Sequence, residues 1–133
     1  MFENASSFNQ PIDSWDVSNV EYMYSMFHYA TSFNQPIGSW DVGQVTDMAR
    51  MFWQASSFNQ PIGNWNTSSV TRMDFMFAEA ESFDQSIDNW NTYRVNNVDN
   101  MFRGVSSFRY FLMQRKIELK IFLHHYFGSD SEA

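Results

Sequence analysis

No cysteine occurs in the 133 residues. Disulfides, thiol chemistry and cysteine-type zinc sites are therefore excluded. Leucine is absent before Leu112 and lysine before Lys116. Any core built ahead of them must come from other residues, and the chain supplies 14 Phe, 9 Met and 5 Trp. Such a core is aromatic and thioether-rich, suited to irregular spaces. No apolar run approaches the ~20 residues of a membrane span. The opening segment MFENASSFNQ has neither a basic start nor an apolar stretch, so no signal peptide is legible. Residues 1–108 hold twelve acids and four arginines, a formal −8. An acidic body without lysine is a poor partner for a phosphate backbone, so no nucleic-acid ligand is expected.

What the chain does have is a period. Met-Phe pairs stand at Met1-Phe2, Met26-Phe27, Met51-Phe52, Met76-Phe77 and Met101-Phe102, 25 residues apart. Trp15, Trp40, Trp65 and Trp90 keep the same step, as do Ile12, Ile37, Ile62 and Ile87. A fixed period without insertions means repeats stacked on one another. Residues 1–108 read as four full 25-residue repeats plus a partial fifth. The first Met-Phe opens the sequence in mid-repeat, so the chain reads as a piece of a longer protein. Its uncapped N-terminal edge would favour self-association.

Comparison among copies assigns the elements. Val20, Met23, Met26, Phe27 and Ala30 have spacings that fit one helix face. Ser18 with Glu21 fits a capping box, and Ser68 can cap the third copy. Ile12, Trp15 and Val17, with Ser14 and Asp16 alternating between them, fit a short half-buried strand. The expected fold is α/β: a leucine-rich-repeat-like, right-handed solenoid with one short parallel strand and one short helix per repeat. Gln10, Gln35, Gln60 and Gln85 recur beside Asn9, Asn34, Asn59 and Asp84. They read as a stacked amide ladder that satisfies backbone groups, rather than as a ligand row. The four phased tryptophans read as a buried stack.

The repeat resembles the bacterial-surface unit of about 26 residues found in BspA-like leucine-rich-repeat relatives, a domain of unknown function. That unit reads MFxxAxSFNQxIxxWDVSxVTxM. This chain has MFHYATSFNQPIGSWDVGQVTDM at 26–48 and MFWQASSFNQPIGNWNTSSVTRM at 51–73. The resemblance implies an extracellular or cell-surface location and a role in recognition or adhesion. It brings no catalytic residues.

The pattern stops at Arg109. Residues 109–127 fit a helix better than a strand, and they read as a capping helix or as a tail foreign to the family. Residues 128–133 read as a disordered end. There is no phosphate loop, nucleophile elbow or HExxH, so no enzyme, cofactor or metal is expected. Ser14, Asp16, Ser39, Asp41, Asn64, Asn66, Asn89 and Asn91 should point away from the core as a polar strip. Trp53, a single-copy aromatic, should lie exposed beside Met51-Phe52 and make a contact. The expected function is a non-catalytic module that recognises a protein or glycan; the alternative is a structural spacer within a longer surface protein.

Overall fold

The computed structural model describes residues 1–127; the expected disordered end, 128–133, lies outside them. The period is real, but the elements are not those expected. Among the described residues the only helix is α1, Phe108–Phe127. Strand pairing is limited to isolated parallel bridges joining Tyr22 to Asp47, Asp47 to Arg72, and Arg72 to Asn97. The leucine-rich-repeat-like α/β solenoid is therefore not the fold. Each repeat is a layer of consecutive tight turns, and the layers stack.

The segment expected to be helical shows why. The Met26, His28 and Ala30 amides return to the carbonyls of Met23, Ser25 and Phe27 at 3.2, 3.2 and 3.0 Å. The intervening amides leave the layer. Met23, Ser25, Phe27 and Tyr29 donate to Asp47, Ala49, Met51 and Trp53 at 2.8–3.0 Å. A helix would send each of these amides back four residues within its own segment. Here every second one is used to join layers. Three-residue turns repeat the apolar spacing of a helix face, so the sequence pattern is a mimic.

Two residues per layer hold these turns in the left-handed region. Ser25, Arg50, Phe75 and Asn100 have φ of 56–60°, and Asn4, Tyr29, Gln54 and Glu79 have φ of 56–64°. The last layer places Gly104 at φ 78°. An L side chain pays about 1–2 kcal/mol in this region. The interlayer hydrogen bonds of Ser25 and Tyr29, and of Asn4, Arg50, Gln54, Phe75 and Glu79, offset that cost.

The expected strand is also a pair of turns. Trp15 N–H donates to Ile12 O at 3.1 Å and Val20 N–H to Val17 O at 3.0 Å. Ser18 donates to the Asp16 carboxylate instead of capping a helix. On this side the layers are joined by side chains. The indole N–H groups of Trp40, Trp65 and Trp90 donate to Ile12, Ile37 and Ile62 carbonyls at 2.9–3.0 Å. Asn34, Asn59 and Asp84 amides donate to the Oδ1 atoms of Asn9, Asn34 and Asn59, each at 2.9 Å. Gln35, Gln60 and Gln85 add Nε2 donors to the same oxygens. This is the amide ladder the sequence indicated. Trp40, Trp65 and Trp90 are buried, whereas Trp15 in the first layer is 42% exposed.

Inside run two columns of rings. Phe2, Phe27, Phe52, Phe77 and Phe102 stack at centroid spacings of 5.5–5.7 Å. Phe8, Phe33, Phe58 and Phe83 stack at 5.9 Å. Tyr110 of α1 tops both columns, 4.8 Å from Phe102 and 5.7 Å from Phe83. Its hydroxyl donates to Gln85 O at 2.7 Å. Met113 and Ile117, one helical turn apart in sequence, bury the same face of α1. Burial raises the Tyr110 phenol above its ordinary pKa.

Candidate functional site

Side chains at Ser14, Asp16, Ser39, Asp41, Asn64, Asn66, Asn89 and Asn91 are all exposed. They fall into two rows. Asp16, Asp41, Asn66 and Asn91 each accept, through Oδ1, the amide two residues ahead at 2.9–3.1 Å. These are Asx turns, in which a short side chain replaces a backbone acceptor. The hydroxyl and amide of Ser18 hold the Asp16 carboxyl below the usual carboxylate range. This row therefore shapes its own turn.

The other row is freer. Ser39, Asn64 and Asn89 line an open groove of about 620 Å³, together with Gln60, Gln85 and Ser86. The sequence reading missed the groove-forming role of Gly38 and Gly63. A Cβ on Gly38 would sit 2.6 Å from Pro61 O, and one on Gly63 would sit 2.8 Å from Ser86 O. Their lack of a side chain lets the layers close up along the groove floor. The signal was present: glycine occurs at these phased positions in the two middle copies, flanked by Asp13 and Asp88.

Trp53 departs from expectation. It is only partly exposed, because it stacks on His28 at 4.7 Å and meets the Phe75 ring at a tilt at 4.7 Å. The Arg50 guanidinium lies 5.4 Å from its ring, 5.5 Å from Tyr24 and 5.9 Å from Phe75. The Nε1 of Trp53, Nε2 of His28 and Nε of Arg50 are buried without a hydrogen-bond partner. His28 is part-buried and meets Glu3 at 3.0 Å. The ring faces of Trp53 are thus spent within an outer aromatic column. The helical reading of this segment hid the neighbours, because turns bring successive layers closer than helices would.

Among the described residues no group of three His, Asp or Glu is placed to hold a metal ion. The family model described as Mycoplasma protein of unknown function, DUF285, matches residues 1–65 and again 35–127. The chain belongs to this family. No curated protein and no solved structure matches it. The second DUF285 match continues past the last layer and through α1 to residue 127. Within this DUF285 chain no helix among the described residues is long and apolar enough to cross a membrane.

Proposed function

We propose that this DUF285 chain is a non-catalytic recognition module of a cell-surface or extracellular protein. It binds a protein or glycan along the groove lined by Ser39, Asn64 and Asn89. The observation that carries this reading is the repetition itself. One polar contact position recurs on each layer, and the three line a single groove beside the amides of Gln60 and Gln85. Regularly spaced donors and acceptors suit an extended, repetitive ligand. The resemblance to BspA-like surface repeats supports the location. A glycan array and a pull-down, with the native chain and with Ser39, Asn64 and Asn89 all changed to Ala, test it. The reading expects binding that the triple variant loses. Binding that survives the triple variant contradicts it.

A second reading has its own support. Asp16, Asp41, Asn66 and Asn91 use their oxygens to build turns, which suits a spacer that only sets length. Failure of the native chain to retain any glycan or protein in these assays would favour the spacer.

A further inference from the structure

The helix α1 is apolar on two faces. Tyr110, Met113 and Ile117 turn one of them onto the last layer, and Ile121 packs beside them. On the other face Leu112, Leu119, Phe122 and Tyr126 are 51–65% exposed. Phe122 and Tyr126 lie ring to ring at 4.6 Å there. A helix that is apolar all round belongs in an interior. The layers cover only one face of α1, and a patch of this kind on the other marks an interaction surface.

The spacing says what cover fits. Leu112, Leu119 and Tyr126 stand seven residues apart, and Phe122 stands three after Leu119. This is the alternation of threes and fours of a coiled-coil seam. Leu112, Leu119 and Tyr126 take one core position of the heptad; Arg115 and Phe122 take the other. Met113 and Ile117, which face the layers, fall at positions that a coiled coil leaves outside its seam. Capping the stack and pairing with another helix therefore use different sides of α1.

We propose that the outer face of α1 pairs, antiparallel, with the same face of a second copy of this chain, Leu119 of each copy packing against Phe122 of the other. The sense follows from the unlike halves of the stripe. Its first half carries Arg115 and Lys116; its second half carries Phe122 and Tyr126. A parallel pair would set Arg115 against Arg115. The antiparallel pair sets it beside the Tyr126 ring of the other copy, a cation–π contact. Such an interface is isologous and closes at two copies. The four half-exposed apolar side chains offer about 400 Å² per copy, at roughly 100 Å² each. The stems of Arg115 and Lys116 bring this toward the ~800 Å² per partner of a stable interface, which fits a weak dimer. A lipid surface fits less well. Arg115 lies inside the stripe, held by Glu118 at 3.4 Å, and insertion would carry both charges into the apolar layer at high cost.

Sedimentation equilibrium of the whole chain tests the pairing, with Leu119→Lys and Phe122→Lys run beside the native chain and dilute-solution melting temperatures taken for all three. Both side chains are more than half exposed, so neither change opens the core. Expected are a monomer–dimer equilibrium in the native chain, unchanged melting, and dimerisation at least tenfold weaker in each variant. The chain has no cysteine of its own, so a nitroxide placed on Leu112→Cys reports the sense of the pair. At 1.5 Å rise per residue the two labels of an antiparallel pair lie about 25 Å apart; side by side in a parallel pair they lie about 10 Å apart. Flotation with phosphatidylserine vesicles is run alongside. A monomer at millimolar concentration, a dimer that neither lysine weakens, labels near the parallel separation, or flotation of a monomeric chain that Leu119→Lys abolishes overturns the proposal.

Discussion

The indole N–H of Trp65 donates to the carbonyl of Ile37 at 3.0 Å, reaching from one layer into the previous one. Trp65 is 3% exposed, so water does not replace the lost partner if the indole is removed. Trp65→Phe should destabilise the chain by about 1–3 kcal/mol, the cost of leaving a buried polar group unpaired plus lost packing. Trp15→Phe, at the exposed first position, should cost within about 0.5 kcal/mol. Urea unfolding of the two variants checks the difference; equal costs would contradict the bridging role.

Asn59 Oδ1 accepts both the Asp84 amide at 2.9 Å and Gln85 Nε2 at 3.0 Å. Asn59→Ala removes the acceptor for both. The expected loss is about 1–2 kcal/mol, moderated because the site is partly open to water. Amide exchange should accelerate at Asp84 more than at Asn34, whose own acceptor, Asn9, is untouched.

This ladder also shows what the sequence made legible. Invariant glutamines beside asparagines read as stacked neighbours rather than as a ligand row, because a recurring polar group at a fixed phase must be satisfied in every layer, and the ladder contacts bear this out. The phased tryptophans likewise announced burial, which holds for Trp40, Trp65 and Trp90 but not for Trp15, and the break at Arg109 marked the start of α1 to within a residue. The secondary structure was not legible. Val20, Met23, Met26, Phe27 and Ala30 keep the same spacing, three-residue steps broken once between Met26 and Phe27, whether a segment is a helix or a chain of tight turns. Only the destination of alternate amides separates the two, and sequence does not record it. Trp53 was misplaced for the same reason: its ring partners, His28 and Phe75, lie in other layers.

Ser25 is buried at φ 56° and makes no side-chain hydrogen bond among the described residues. Ser25→Gly relieves the left-handed strain but frees the unfolded chain, so stability should change by less than about 1 kcal/mol. Ser25→Val puts a β-branched side chain where it is least tolerated and should cost more than about 2 kcal/mol. Thermal melts of the two variants check this; a valine variant as stable as the glycine one would contradict the left-handed turn.

Tyr110 has its phenol pKa raised by burial in the face of α1 that tops the ring columns, against a smaller opposing effect from Arg109. The neutral form is therefore favoured in the folded state. Its contribution is fully present below the ordinary tyrosine pKa of about 10 and is lost as pH rises through the folded value. The native chain should lose stability above about pH 10. Tyr110→Phe should be less stable at pH 7, by about 1 kcal/mol for the lost bond to Gln85 O, but should show a shallower alkaline decline. Urea unfolding at a series of pH values measures both; parallel alkaline declines would contradict the buried phenol.

The central claim is that alternate amides join layers instead of closing a helix, and the Phe52 amide tests it most directly. It lies 2.8 Å from the Met76 carbonyl, one layer onward. A scalar coupling across the hydrogen bond, read between Phe52 nitrogen and its acceptor carbonyl carbon, names the partner without a structure. The stacked-turn fold predicts a coupling to Met76. A coupling to Met48, four residues back within the same repeat, would mean a helix in each layer and would contradict it.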